Sequence, residues 1–362
     1  MFFDSIDFMA MTLALQQAKL SINSSPNPRV GCVIVKEKRI ISCGYTKSPG
    51  GNHAEIDALL NAAAQGYDVY NSTVYITLEP CSYFGYTPPC TEALIKSGIK
   101  KVIIAINDPN PLVSGKGVAQ LISAGISVKQ GLMQKEAYEI NIGFFSRMQR
   151  GIPWVRMKIA SSLDNKTSLY NNSSQWITSK ESRNDSHIWR ARSCAILTGI
   201  GTVLKDNPRL NVRSIKTSHQ PYRIVIDSYL RIDPFFRVLK GGGSCIFTAT
   251  DLPMKRKILE DLGHEVIVLP NNLGKVDLQA VIIELGKRKI NELHIEAGYQ
   301  LNTALILEGC VDELLLYISP ILIGEAYNMF TLPPHYSLDK KIKLKFHEIQ
   351  KIGPDIRILA RF

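Results

Sequence analysis

No apolar stretch in this chain approaches the length needed to cross a bilayer as a helix. Asp4 and Asp7 stand where a secretory leader would carry basic residues, so no such leader is expected. Seven cysteines at 32, 43, 81, 90, 194, 245 and 310 are odd in number and widely spread, unlike a secreted disulfide framework. There is no Lys/Arg run longer than three residues, no internal repeat and no low-complexity segment. The net charge of +11 divides as +3 over residues 1–150 and +8 over the remainder, spread along the chain with no long basic block. Nucleic-acid binders concentrate such charge in a stripe. These absences argue against a membrane protein, a disulfide scaffold and a nucleic-acid binder. They leave a cytoplasmic globular protein as the expectation.

What is present is 45% hydrophobic and 21% charged, over 362 residues. That length exceeds one comfortable core, so two domains are expected. Residues 4–20 have near-helical apolar spacing, and Val30–Val35 is a short β-branched run with a hairpin partner at 39–43. Helices are expected at 54–65, 91–97, 117–124 and 137–148, with strands at 73–77 and 101–106. Gly151-Ile152-Pro153 marks a boundary, so the domains are set at 1–148 and 152–362. Beyond it, strands at 154–160, 195–198, 222–226, 266–269 and 292–295 alternate with helices at 179–192, 253–261 and 277–287. The segments 314–318, 342–347 and 355–360 read as strands without intervening helices, so this sheet should end antiparallel. Both halves are α/β.

The chemistry-bearing stretch runs from His53 to Cys90. His53-Ala54-Glu55 opens a helix, Pro80-Cys81 ends a strand, and Pro89-Cys90 opens another helix. One imidazole and two thiolates suit zinc and leave its fourth tetrahedral position open, which is the catalytic arrangement. Glu55, two positions after the imidazole, is placed to carry a proton. His-x-Glu with Pro-Cys-x-x-Cys marks zinc deaminases, but eight residues separate Cys81 from Cys90 here. A lone His or Cys is more often buried packing; the combined pattern favours a metal. In the second half, Thr198-Gly199-Ile200-Gly201-Thr202 is too short for a dinucleotide fingerprint and is weak alone.

Many short motifs in order resemble the bifunctional bacterial deaminase–reductase family of riboflavin biosynthesis. They are Pro26-Asn27-Pro28-Arg29-Val30-Gly31-Cys32, His53-Ala54-Glu55, Thr77-Leu78-Glu79-Pro80-Cys81-Ser82 and Thr87-Pro88-Pro89-Cys90. In the second half they are Lys158 to Asp164, Ser174-Gln175-Trp176, Thr198 to Val203 with Asp206, Pro208 and Leu210, Ile226-Asp227-Ser228, and Glu296-Ala297-Gly298. The family's longer spacing between its two Pro-Cys pairs accounts for the gap noted above. This chain departs from the family at Ser82-Tyr83 and Gly85-Tyr86, where a Ser-His pair and a basic residue are common, and at Asn165 and Tyr299-Gln300.

The resemblance implies a cytidine-deaminase-like α/β/α domain followed by a dihydrofolate-reductase-like α/β domain. It implies zinc-dependent deamination of 2,5-diamino-6-ribosylamino-4(3H)-pyrimidinone 5′-phosphate, then NADPH-dependent reduction of the ribosyl group to ribityl. On this likeness His53, Cys81 and Cys90 match the ligands of one zinc ion, and Glu55 the proton shuttle. Ala160, Trp176, Thr202, Asp206, Ser228 and Gly298 match NADPH-site positions. Ser174, Arg190, Leu210, Arg213 and Glu296 match substrate contacts, with Arg190 and Arg213 as forked donors for a phosphate. Lys158 is a candidate proton donor during reduction. The expected partner is a small phosphorylated pyrimidine, with no nucleic acid and no membrane, and the chain is expected to form a homo-oligomer, dimer or tetramer. The alternatives are a nucleic-acid base deaminase and a deaminase with a non-catalytic second domain.

Overall fold

A computed structural model describes residues 3–84, 88–111, 113–170, 176–217, 219–334, 339 and 341–362. The chain divides into two compact units, one to Gly151 and one from Ile152. Gly151 sits at φ +74°, a left-handed position that suits glycine, and ends the last helix of the first unit.

The first unit runs α1 (Ser5–Leu20), β1 (Gly31–Lys36), β2 (Arg39–Tyr45), α2 (Ala54–Ala64), β3 (Thr73–Ile76), α3 (Cys90–Lys96), β4 (Lys101–Ile104), α4 (Lys116–Ser123), β5 (Ser127–Gln130), α5 (Gln134–Ile140) and α6 (Ile142–Arg150). Its sheet has the order β2-β1-β3-β4-β5. The β1 strand pairs antiparallel to both neighbours, whereas β3, β4 and β5 are parallel. Cys32, Val33 and Ile34 are fully buried, as their unbroken apolar run demands. Small residues let helices lie close on this sheet. A Cβ on Gly31 would meet the Ala14 carbonyl of α1 at 1.8 Å, and one on Gly44 would meet the Ala58 nitrogen of α2 at 2.3 Å.

The segment 137–148, expected as one helix, is two helices broken at Asn141. The Asn141 side chain accepts from the Arg29 N–H at 2.7 Å and donates to the Arg29 carbonyl at 2.8 Å. That tie to a distant loop competes with helix continuation.

The second unit runs β6 (Trp154–Ser162), β7 (Lys166–Ser168), α7 (Lys180–Arg192), β8 (Ala195–Gly199), α8 (Ile200–Asp206), β9 (Tyr222–Ile226), β10 (Ser244–Thr248), α9 (Pro253–Asp261), β11 (Glu265–Val268), α10 (Leu278–Lys287), β12 (Glu292–Ile295), α11 (Tyr299–Leu307), β13 (Glu313–Ser319), β14 (Tyr327–Asn328), β15 (Lys345–Ile352) and β16 (Asp355–Arg361). Nine strands form one sheet in the order β11-β10-β9-β8-β12-β6-β13-β16-β15. Seven are mutually parallel; β16 is antiparallel to β13, and β15 to β16. The sheet therefore ends antiparallel, as expected. The last hairpin is shifted from the expected 342–347, because Gly353 at φ +59° places the turn and with it the register.

Candidate metal centre and reductase cavity

In the first unit, three elements bring the metal-type side chains together. His53 is the residue preceding α2, Cys81 follows β3, and Cys90 opens α3. The His53 Nδ1 lies 3.3 Å from the Cys90 Sγ and 3.5 Å from the Cys81 Sγ, and all three donor atoms fall within 4.8 Å of one another. A tetrahedral zinc with bonds near 2.0 and 2.3 Å separates N from S by about 3.5 Å. The spacing and the donor chemistry both fit zinc. Among the described residues no other His, Cys, Asp and Glu group of this kind occurs.

The backbone holds these donors from behind. Glu79, buried, accepts from the N–H groups of Asp108, Gly115 and Val118 at 3.3, 3.0 and 3.2 Å. Those bonds fix the loop carrying Pro80-Cys81. Thr91 donates its N–H to the Cys81 carbonyl at 3.2 Å, which ties α3 to the same loop. The role of Glu79 was not read from the sequence, where it looked only like part of a motif. On α2, buried Asp57 accepts from the Tyr45 N–H at 3.1 Å and pairs with Lys47 at 2.8 Å, fixing the helix that presents His53.

Hydrogen bonds from Cys90 push the Cys81 thiol down to about 4, aided by His53 and against the cost of burial. A thiolate ready at neutral pH is what a metal ligand requires. Glu55 is only 3% exposed, and burial, with the neighbouring Cys81 charge, pushes its carboxyl up to about 7.

In the second unit, a cavity of about 600 Å³ opens at the carboxyl ends of the parallel strands. Ala160, Thr202, Asp206, Ser228, Gly298, Arg190, Leu210 and Glu296 all line it, as does Lys158. The structure thus brings together nine of the twelve candidate residues of this half. Trp176 does not line the cavity; it is 65% exposed, with the Arg183 guanidinium 4.3 Å above its ring. Arg213 is exposed and lies outside the walls, its N–H 3.4 Å from the His187 Nδ1. Ser174 lies outside the described residues, as do Tyr86 and Gln175.

Arg190 differs from the free fork the sequence suggested. Its Nε and Nη2 bind the two oxygens of Glu296 at 2.5 and 2.7 Å, and its Nη1 donates to the Asn211 carbonyl at 3.0 Å. Burial opposes ionisation of Glu296, but Arg190 holds its carboxyl well below the usual range. Burial pulls the Lys158 ammonium below its usual range, against the pull of Glu296. Lys158 does not simply reach solvent: it is half-buried in the cavity wall. Tyr229, Arg231 and Lys275 also line the cavity and were not singled out in the sequence. They lie in turns, where no periodicity marks them.

The family described as the RibD C-terminal domain matches residues 153–358, and the cytidine and deoxycytidylate deaminase zinc-binding region matches residues 5–106. The chain is 41% identical over 362 residues to the riboflavin biosynthesis protein RibD of Escherichia coli strain K12, covering 96% of this chain and 97% of that one. It is 38% identical to RibD of Aquifex aeolicus strain VF5, covering 98% of each. Among solved structures, Acinetobacter baumannii RibD superposes with a TM-score of 0.88 at 37% identity, covering 98% of each chain. The Thermotoga maritima diaminohydroxyphosphoribosylaminopyrimidine deaminase/5-amino-6-(5-phosphoribosylamino)uracil reductase does so with a TM-score of 0.88 at 30% identity, again covering 98% of each.

Proposed function

The chain belongs to the RibD family, and from that premise we propose how its own residues divide the work of a bifunctional enzyme of riboflavin biosynthesis. It is a zinc-dependent deaminase joined to an NADPH-dependent reductase, acting on a small molecule. The deaminase is assigned to residues 1–148 and the reductase to residues 152–362. The substrate is 2,5-diamino-6-ribosylamino-4(3H)-pyrimidinone 5′-phosphate, whose deaminated product then has its ribosyl group reduced to ribityl.

His53, Cys81 and Cys90 would hold the zinc. When bound, zinc supplies Lewis acidity that brings water near neutral acidity. Glu55 takes a proton from water as the oxygen adds to the amine-bearing ring carbon. It then returns that proton to the amino nitrogen, the C–N bond breaks, and ammonia leaves. A carboxyl poised near 7 can do both halves of this transfer.

In the second unit an NADPH held in the cavity would supply the hydride. Lys158 is placed to give a proton to the sugar oxygen as its carbon is reduced. Glu296, held by Arg190, orients the sugar, and Leu210 packs beside it. Ser174 and Arg213 are assigned to the substrate, Arg213 to its phosphate. Ala160, Trp176, Thr202, Asp206, Ser228 and Gly298 are assigned to NADPH.

The observation that carries this reading is the His53, Cys81 and Cys90 cluster with a buried carboxylate two residues from its imidazole. Product analysis of the purified chain with the diaminopyrimidine phosphate, with and without NADPH, tests it. Deaminated product alone is expected without NADPH, and ribityl product with it. Unchanged substrate in both would overturn the reading. We also place the protein in the cytoplasm as a homo-oligomer, dimer or tetramer, which cell fractionation and sedimentation would check. All seven cysteines are unbridged, and among the described residues no helix is long and apolar enough to cross a membrane.

A further inference from the structure

Along β12 and just past its end, Glu292, His294 and Glu296 are alternate residues and point to one face of the sheet. The alternation continues to Glu296 because its N–H still reaches the Leu197 carbonyl of β8 at 2.9 Å. Leu293 and Ile295, between them, belong to the apolar core on the other face. Glu292 pairs with Arg156 of β6 at 3.0 Å and with Arg192 of α7 at 2.8 Å. Glu296 has Arg190 of α7 on both of its oxygens. His294, between the two carboxylates, is fully buried. Its register neighbours are the apolar Ile196 on β8 and Arg156 on β6, a donor already engaged by Glu292 and Glu313.

The His294 Nε2 lies 3.3 Å from the Glu296 Oε1, but off the axis of a good hydrogen bond. Neither ring nitrogen is therefore satisfied among the described residues. Burial, opposed by Glu296 and aided by Arg190 and Arg156, holds the imidazole below its usual range. It is neutral at pH 7, with one proton for two nitrogens. Nε2 is the nitrogen beside an acceptor, so the proton belongs there. A sealed imidazole short of a partner costs stability that a leucine would not, so packing alone gives no reason for a histidine here. The Glu296 carboxylate supplies a reason. A carboxylate offers about four lone-pair sites. Arg190 takes one on each oxygen, and its Nη1 is held by the Asn211 carbonyl at 3.0 Å. His294 stands at the second site of Oε1, which leaves the second site of Oε2 for a ligand in the cavity that Glu296 lines.

We propose that His294 is a positioning residue of the reductase, whose Nε2–H closes on Glu296 when substrate binds and fixes that carboxylate against the sugar. This rests on reading the second unit as a reductase in which Glu296 orients the ribosyl group. Hydrogen bonds in catalytic sites are often long before substrate enters and tighten in the complex. The Arg190 fork holds both oxygens but leaves the carboxylate free to hinge out of the guanidinium plane. A donor from beneath, on a strand paired on both sides, removes that freedom. His294 is buried behind Glu296 and acts only through it.

Reduction of the deaminated intermediate by the full chain at saturating NADPH tests this, with His294→Leu and His294→Gln beside the wild type. Leucine fills the space without a donor, whereas glutamine keeps an N–H near the place of Nε2. His294→Leu is expected to lower kcat for reduction by about tenfold or more, because a small misplacement of an orienting group is costly. NADPH affinity by titration calorimetry, and deamination by the same chain, should stay within about twofold of wild type. His294→Gln should recover kcat to within about threefold of wild type, since the donor returns. Wild-type kcat in His294→Leu overturns the proposal. A His294→Gln variant as slow as His294→Leu also overturns it, because shape and not a donor is then what matters. Loss of NADPH affinity in both variants overturns it too, since the residue then supports the cavity as a whole. All three results leave the reductase reading standing. A wild-type chain that does not reduce the intermediate overturns that reading, and the proposal with it.

Discussion

At Glu55, burial does two things at once: it keeps a proton close to neutral acidity and excludes bulk water that would otherwise exchange it. Glu55→Gln keeps the shape and the hydrogen-bonding reach but cannot cycle a proton. Zinc content is expected to stay at about one per chain while deamination falls by roughly 10²–10⁴-fold. Metal analysis beside a deamination assay checks both halves, and near-wild-type turnover would remove Glu55 from the mechanism. Cys81→Ala is expected to lose zinc and deamination together. Stoichiometric zinc in that variant would place the metal elsewhere. In the second unit, Arg213→Ala should raise KM for the phosphorylated substrate more than for NADPH. Similar changes in both would dissociate Arg213 from the substrate phosphate. His187 gives a pH signature. Burial, with Arg190 and Arg213, pushes its imidazole down to about 4. An unfolded histidine protonates near 6.5, so between about 6.5 and 4 the unfolded chain binds more protons than the folded one. Stability must then fall as pH drops through that window. Comparing unfolding midpoints at pH 7 and pH 5 should show a smaller drop for His187→Gln than for wild type. An equal drop in both would mean His187 is not a source of the acid sensitivity.

The elements that carry the metal ligands depend on how closely helices approach the first sheet. Gly44 on β2 admits the backbone of α2, and a Cβ there would meet Ala58 and Ala54 backbone atoms at 2.3 and 2.5 Å. Gly44→Ala should push α2 outward at a cost of about 1–3 kcal/mol. Because His53 and Glu55 ride on the start of α2, zinc affinity should fall with stability. A competition titration against a zinc chelator, run beside thermal unfolding, would separate the two, and unaltered zinc affinity in a destabilised variant would argue that the helix start does not move. Elements with strong periodicity or unbroken apolar runs were legible in the sequence: β1, β6 and α7 lie close to where their patterns put them. The metal donors were legible too, because each sits beside a helix start or strand end that its own motif marks. Other elements were not. The strand β10, Ser-Cys-Ile-Phe-Thr, is fully buried but too short and too mixed to announce itself, and β7 and β14 exist only through each other. The break at Asn141 comes from a side chain reaching Arg29, a long-range contact that no local pattern encodes. The same limit hid the pairing of Arg190 with Glu296, which depends on α7 crossing the end of β12.

On the scale of the whole molecule, the two units have separate cores. A fragment from about residue 150 onward is therefore expected to fold alone and to reduce the deaminated intermediate without zinc. In the full chain, chelating zinc should abolish deamination and leave reduction intact, which paired assays on one preparation would check. Loss of both activities from otherwise folded protein would deny their independence. The units also differ in how their sheets are wired. All five strands of the first lie between Gly31 and Gln130, so that sheet closes from nearby chain. In the second, β6 lies between β12 and β13, neither of which exists until the chain has reached Glu292 and Glu313. A ribosome making this protein therefore releases a deaminase sheet early, then carries Val155, Met157 and Ile159 for most of the remaining synthesis with no strand on either side of them. Such late pairing is slow and leaves apolar surface open to aggregation. Cells making it fast or hot should accumulate chains with a working metal site and an unfinished reductase, and chaperone supply should rescue the second activity more than the first.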